Sequence, residues 1–314
     1  MAEAAPFFAE VTEAPEGGRV TWRPCDAGVR VRVAVWKAGT RGTVLLFPGR
    51  TEYVEKYGPA AIDLAARGYS TATIDWRGQG LADRLLPDRA TGHVARFGHY
   101  QRDVAALLAA VRDAEMPEPC FLLAHSMGGC IGLRAIHRRL PVRAVAFSGP
   151  MWGIRISTLL RPAAWALSVA GRLSGQGHRY APGTTPETYV SFAPYADNML
   201  TTDPGMYAFM QRQVAAHPGL SLGGPSLHWL HEALAETRAL RALRPPALPC
   251  LTALGQRERI VDVDAVRQVM KHWPGALLDE IAGAEHEVMM ETPAIRAHFY
   301  DAVAALFDAH RAGG

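Results

Sequence analysis

FLLAHSMGGCIGLRAI, residues 121–136, joins a solid apolar run, Phe121 to Ala124, to a segment with helical spacing that starts at Gly128. Only His125-Ser126-Met127 separates the two. A buried strand that turns this sharply into a helix lifts the residue at the turn clear of the sheet in a strained conformation, and leaves room only for small neighbours two before and two after it. Ala124 and Gly128 are those neighbours. Ala124 stands where the usual G-x-S-x-G pattern has glycine; the turn demands smallness, and one methyl crowds it slightly. The helix that follows aims its free amides and positive dipole end at the Ser126 oxygen, which favours a developing anion.

A literal G-x-S-x-G does occur, as GLSLG at 219–223. Its Ser221 follows His217-Pro218-Gly219 where a buried strand is required, and Gly223-Gly224-Pro225 would break any helix beginning there. Ser221 is read as a loop residue, and Ser126 as the nucleophile.

The sequence on either side of 121–136 has a consistent rhythm. Short apolar runs, TVLLF (43–47), STATI (70–74), CFLLA (120–124), RAVAF (143–147) and CLTAL (250–254), have the character of strands buried on both faces. Helical spacing over 59–67, 100–114 and 128–139 separates the early ones. Strand and helix therefore alternate, which predicts an α/β fold with a mostly parallel central sheet flanked by helices. VRVRVAVW (29–36) alternates at period two and predicts a half-exposed strand near a sheet edge. Between 150 and 243 the alternation stops, and the segment is rich in Trp, Tyr, Met, Pro and Gly; so long a piece between core strands is read as an inserted helical cap, with 1–149 and 244–314 as the core domain. A helix over 264–273, a strand over 276–281 and a closing helix over 294–310 complete the pattern.

A serine hydroxyl is a weak nucleophile at neutral pH and needs a histidine base, itself oriented and charge-supported by an acid. In strand-turn-helix hydrolases these follow in the order serine, acid, histidine. GQRERIVD (255–262), after the run CLTAL, offers Glu258 and Asp262; GAEHEVMMETP (283–293) offers His286. His125 is adjacent to Ser126, and neighbouring side chains diverge at such a turn, so it is a poor base. His93, His99 and His228 sit near loops able to approach the site. For the oxyanion, the Met127 amide is one donor, and the loop in LLFPGRTEY (45–53) supplies a second, the backbone amide of Arg50.

Composition limits the alternatives. With 314 residues, 49% hydrophobic and 20% charged, the chain is of ordinary soluble globular character. The net charge of +3 comes from scattered Lys and Arg, with no tract for nucleic acid. Cys25, Cys120, Cys130 and Cys250 form no C-x-x-C pair, so neither a metal site nor a redox motif is expected, and no cofactor motif is present. The acidic N-terminal stretch lacks the pattern of a secretory signal, which predicts a cytoplasmic protein. The apolar region 159–173 is interrupted by Arg161, Pro162 and Arg172 and is too short to cross a bilayer. The wider stretch 151–173 mixes Trp, Ile and Leu with Arg, a composition that suits peripheral contact with the inner face of a membrane; packing of its apolar face on the core is the favoured alternative.

Seven stretches taken in order, LLFPGRTEYVEKY, TIDWRGQG, RLLPDRATGHVARF, LLAHSMGG, GGPSLHWL, ERIVD and GAEHEVMMET, resemble the bacterial lysophospholipase branch of the monoacylglycerol lipase-like α/β-hydrolases. The resemblance covers most of residues 42–300 and implies an α/β-hydrolase fold with a cap. It carries the nucleophile to Ser126, the base to His286 and the oxyanion donor to Arg50. It also places the acid on Glu258, where glutamate replaces the commoner aspartate; Asp262 remains the alternative acid. The implied activity is a serine esterase that cleaves the acyl ester of a single-chain lipid, a lysophospholipid or a monoacylglycerol, through an acyl-serine. The alternatives are a carboxylesterase or acyltransferase for short soluble esters, a proline-specific peptidase, and a non-catalytic binder of hydrophobic ligands.

Overall fold

The computed structural model describes residues 2–25, 28–157 and 159–311. Strands β1 (Arg19–Pro24), β2 (Arg30–Trp36), β3 (Thr43–Phe47), β4 (Ser70–Asp75), β5 (Cys120–His125), β6 (Val145–Ser148), β7 (Cys250–Gly255) and β8 (Leu277–Ile281) form one sheet in the order β1-β2-β4-β3-β5-β6-β7-β8. The neighbours from β4 to β8 run parallel, while β2 is antiparallel to both β1 and β4.

The solid apolar runs divide their side chains between two cores. Leu45 and Phe47 of β3 with Leu122 and Ala124 of β5 face one side, where they meet α2 (Tyr100–Asp113), α3 (Met127–His137) and α8 (Val263–Lys271). Val44, Leu46, Phe121 and Leu123 face the other, against α1 (Gly58–Ala66) and α9 (Pro293–Ala309). Successive strand residues point to opposite faces, so a strand covered on both sides must be apolar at every position. Strand order reverses between β3 and β5, and the crevice beyond the C-terminal ends of strands at such a reversal is where α/β sheets bind ligands.

Two expectations fail. β2 is not half-exposed: after Arg30 every residue is buried. The unanticipated β1 pairs along its outer edge, and Phe7 of the N-terminal segment packs edge-on against Trp36. Arg32, which reads as solvent-facing in the alternation, is wholly inside, bonded to Asp75 at 2.7 Å and to Glu55 at 2.7 and 2.6 Å.

The second concerns the segment between β6 and β7. It carries α4 (Arg161–Leu173), α5 (Tyr189–Phe192), α6 (Pro204–Ala216) and α7 (Leu227–Arg241). α7 seats on the core through Trp229, Ala233 and Leu240, and Arg134 of α3 bonds Glu236 at 2.6 Å. Met151 and Trp152 are buried as expected, but α4 buries only Ser168 and Gly171. Leu159, Leu160, Leu167, Val169 and Leu173 lie on the surface; Thr158 of the same stretch is outside the described residues. The helix packs on α7, where a Cβ on Gly171 would come within 2.8 Å of Leu227 and Trp165 stands edge-on to His231.

Candidate active site

Ser126 sits between β5 and α3 with φ 49° and ψ −117°, a conformation that costs a non-glycine residue on the order of 1–3 kcal/mol. Three backbone hydrogen bonds hold it: its amide donates to Ser148 O at 3.0 Å, and its carbonyl accepts from Gly129 at 2.9 Å and Met151 at 2.8 Å. Asp203, Ser226 and Asp262 cap their helices with side-chain oxygens, whereas the Ser126 side chain makes no capping bond to α3. A Cβ on Gly128 would run into the backbone oxygens of Phe47 and Pro48, so that position admits only glycine. Ala124 is tolerated because Gly132, one turn into α3, has no side chain; a Cβ there would lie 3.3 Å from that of Ala124.

His286 follows β8 on a loop held by the insertion, its amide donating to Met199 O at 3.3 Å while the Glu287 amide donates to Leu200 O at 2.8 Å. Its Nδ1 lies 2.6 Å from Glu258 Oε2. Gly149, at φ 49°, gives the ring room, since a Cβ there would stand 3.0 Å from Nδ1. Burial opposes a charged imidazole, yet the facing carboxylate outweighs burial and raises the His286 pKa above its ordinary value. Burial likewise opposes charge on Glu258, but His286 and the amides of Ile260 and Val261 prevail and lower its pKa. An imidazole held through Nδ1 keeps Nε2 free to take a proton from a hydroxyl and to return it.

Asp262 is engaged elsewhere. Its carboxylate accepts from Ala265 N at 3.2 Å, capping α8, and bonds Arg161 at 2.6 Å. His93 bonds Ser226 Oγ at 2.9 Å, His228 bonds Ala95 O at 2.8 Å, and neither these, nor His99, nor Ser221 is among the residues lining the cavity described below. His125 is buried, with Nδ1 at 2.9 Å from Ser148 O.

The loop after β3 is fixed by its own carbonyls: Pro48 O accepts from Trp76 Nε1 at 2.9 Å and Gly49 O from Gln79 Nε2 at 2.8 Å. The Gly49 amide and the Tyr57 hydroxyl donate to Glu52, and the backbone turns at Thr51 with φ 68°. This places Arg50 at the cavity wall and Met127 at the first position of α3. The spacing of residue types does not announce what lies beneath. Lys56 Nζ bonds both Glu52 Oε1 and Glu287 Oε1 at 2.6 Å, tying the loop that bears Arg50 to the loop that bears His286. Glu52, His125 and Glu287 bring ligand atoms within 4.8 Å of one another, the donor set for a metal; the Lys56 ammonium sits on the same two carboxylates. The available signal was Glu52 and Lys56 one helical turn apart, with a second glutamate beside the histidine.

Ser126 and His286 line one cavity of about 700 Å³, walled by Tyr53, Tyr189, Val190, Leu200, Met210 and Val214 on the apolar side and reached by Arg50, Gly223 and Trp229. A cavity that is largely apolar with a few convergent polar groups suits a molecule with a hydrocarbon chain.

The family described as Serine aminopeptidase, S33 matches residues 38–293. Lysophospholipase L2 of Escherichia coli strain K12 is 34% identical over 279 residues, covering 85% of this chain and 80% of the relative. A probable lysophospholipase L2 of Haemophilus influenzae is 28% identical over 264 residues, covering 83% and 82%. Among solved structures, a soluble variant of monoglyceride lipase from Saccharomyces cerevisiae superposes with a TM-score of 0.74 at 20% identity, covering 98% of this chain and 99% of that one. Monoacylglycerol lipase of Paleococcus ferrophilus does so with 0.67 at 18%, covering 89% and 99%.

Proposed function

The chain belongs to the serine aminopeptidase S33 family of α/β-hydrolases, and from that footing we propose that it is a serine hydrolase that cleaves the acyl ester of a single-chain lipid, a lysophospholipid or a monoacylglycerol. The relatives named as lysophospholipases support the ester over the peptide bond. The observation that carries the reading is the His286–Glu258 pair at 2.6 Å, whose imidazole shares the wall of one cavity with the strained Ser126.

In this reading Ser126 Oγ attacks the ester carbonyl and His286 Nε2 takes its proton. The amides of Arg50 and Met127 stabilise the oxyanion. The tetrahedral intermediate collapses as His286 protonates the departing glycerol oxygen, leaving an acyl-serine. Water, deprotonated by the same imidazole, then releases the fatty acid and restores the hydroxyl. Residues 150–243 act as the cap that roofs the acyl chain.

The exposed leucines of α4 and the segment before it support a second element, contact of the cap with a lipid surface. No helix among the described residues is long and apolar enough to cross a membrane.

The test is a hydrolysis panel of lysophosphatidyl lipids, monoacylglycerols and nitrophenyl esters, each run with Ser126→Ala. Loss of at least a thousandfold on the lipid esters is expected. A preference for acetyl over long-chain esters favours the soluble-ester alternative, and a fluorophosphonate that leaves Ser126 unlabelled in folded protein favours a non-catalytic binder.

A further inference from the structure

Arg50 offers the cavity more than a backbone amide. Its side chain, next to the turn at Pro48-Gly49, reaches the cavity wall and bonds Gly223 O through Nη2 at 2.6 Å, with its guanidinium 5.4 Å over the ring of Trp229. Trp229 is itself held by Tyr100, whose hydroxyl accepts from Nε1 at 3.2 Å. A stacked and singly bonded guanidinium is fixed in direction but still has donors to spare, five N–H in a planar fork. Nε and Nη1 donate to no protein acceptor among the described residues, and neither is a buried atom left without a partner, so both stay open to solvent.

Among the described residues no carboxylate pairs with this charge. Of the three acidic residues on the same wall, Glu52 and Glu287 are both taken by Lys56, and Glu187 makes no ion pair with Arg50. Burial lowers the Arg50 pKa to about 10, with only Tyr100 opposing it. A cation held largely out of bulk water without a paired anion is stabilised when a ligand anion reaches its open donors. The two fully buried arginines have their acids in place, Arg32 with Asp75 and Glu55 and Arg77 with Asp103, while the partly buried Arg84 spends its guanidinium on the carbonyls of Gly78, Gly80, Gly219 and Ser221; Arg50 has one carbonyl and an open cavity.

Resting on the reading of the chain as a lipid esterase, we propose that the Arg50 guanidinium is a phosphate-binding group that selects lysophospholipids over monoacylglycerols. The loop that offers its amide to the oxyanion places the side chain beside the head-group end of the substrate. A glycerol unit links the scissile ester to the phosphate, so one residue addresses both. The apolar wall of Met210, Val214 and Val190 takes the acyl chain. An Arg fork meets a phosphodiester with two parallel charge-assisted bonds, and a neutral glycerol hydroxyl gains much less from it.

The experiment compares Arg50→Gln and Arg50→Lys with the unaltered protein on two substrates of equal chain length, a lysophosphatidylglycerol and a monoacylglycerol, both below their micellar concentrations. The ratio of kcat/KM, phospholipid over monoacylglycerol, falls about tenfold to a hundredfold in Arg50→Gln, chiefly through KM on the phospholipid. Arg50→Lys, a point charge without the fork, falls in between. Any common loss from disturbing the oxyanion loop or the bond to Gly223 cancels in the ratio. A ratio unchanged within twofold overturns the proposal and leaves the side chain as a latch between loop and cap. Binding of an alkylphosphocholine ether to Ser126→Ala protein, with and without Arg50→Gln, measures the same contact without turnover. If the unaltered protein hydrolyses neither lipid, the esterase reading fails, while a tenfold weaker ether affinity on Arg50→Gln still upholds the phosphate site and an equal affinity removes it.

Discussion

Glu258 gives its two oxygens to different tasks: Oε2 faces His286 Nδ1 at 2.6 Å, while Oε1 accepts the amides of Ile260 at 2.6 Å and Val261 at 3.1 Å. The backbone bonds aim the carboxylate, so the imidazole is oriented by a group that cannot swing away. Glu258→Gln keeps the shape and removes the charge, and is expected to lower kcat by on the order of a thousandfold to ten-thousandfold. The pH profile gives the sign. Activity is expected to rise with pH as His286 loses its proton, with that limb above the ordinary histidine range because Glu258 overcomes burial. In Glu258→Gln the residual activity has its acidic limb at lower pH. A limb that stays in place would remove Glu258 as the acid.

Asp262→Asn separates the two carboxylates in a different observable. Asp262 caps α8 and pairs with Arg161; asparagine keeps the cap and loses only the half-exposed ion pair, so the substitution weakens stability by less than about 1 kcal/mol and leaves kcat within threefold. Thermal unfolding and turnover on a soluble nitrophenyl ester measure the two effects. A kcat loss beyond a hundredfold would return Asp262 to the triad.

Lys56 bridges Glu52 and Glu287 at 2.6 Å each, with all three buried. Burial pushes the Glu52 pKa up, but Lys56 and His125 pull it down to about 2. A depressed carboxylate adds stability that is complete above its ordinary 4.5 and fades as pH falls toward 2. Lys56→Met strands two buried carboxylates and should destabilise by about 3–5 kcal/mol at neutral pH. The stranded pair then favours the protonated form, so the deficit narrows as pH falls from 7 to 5. Urea unfolding at both pH values checks this; a deficit independent of pH would mean lost packing alone.

The two-core sheet was legible because double burial forces unbroken apolar runs, and the runs at 43–47, 120–124 and 250–254 coincide with β3, β5 and β7 to within a residue. β1 was not, since TWRP at 21–24 carries little apolar pattern and its place depends on pairing with β2. Arg32 misled for a related reason: period-two alternation identifies a strand but cannot tell solvent from a buried ion pair supplied by Asp75 and Glu55, far away in sequence. In the candidate site, the strained turn at Ser126 and the loops that bring Glu258 to His286 could be read locally. Lys56 could not, because its partner Glu287 is 231 positions distant. Which of Glu258 and Asp262 faces His286 also needed coordinates, as four residues along one loop take the carboxylate from the imidazole to a helix N-terminus.

Ala124 and Gly132 form a size-matched pair across the β5–α3 packing. Gly132→Ala gains helix propensity of about 1 kcal/mol, yet its methyl lands 3.0 Å from Leu122 Cδ2 and 3.3 Å from Ala124 Cβ. The substitution should therefore destabilise the protein, and Ala124→Gly should recover part of the loss. A double-mutant cycle by urea unfolding is expected to give a coupling of about 0.5–2 kcal/mol. Additive effects would show that the alanine in the turn needs no compensation from the helix.

The helix α4 turns Leu167, Val169 and Leu173 to solvent, with Leu159 and Leu160 just before it, and Leu159 is 88% exposed. Apolar area of this kind on an exposed helix gains free energy only when something covers it, at about 25 cal/mol per Å². Arg172 at its end adds attraction to anionic head groups. Replacing Leu160, Leu167 and Leu173 with serine changes no buried contact, so folding and turnover of a soluble ester should hold, whereas co-sedimentation with anionic vesicles should fall at least tenfold. Arg155 and Arg161 are poor choices for this test, because they bond Glu258 O and Asp262 and would disturb the site itself. Vesicle binding that survives the triple serine variant would rule out α4 as the membrane-facing surface.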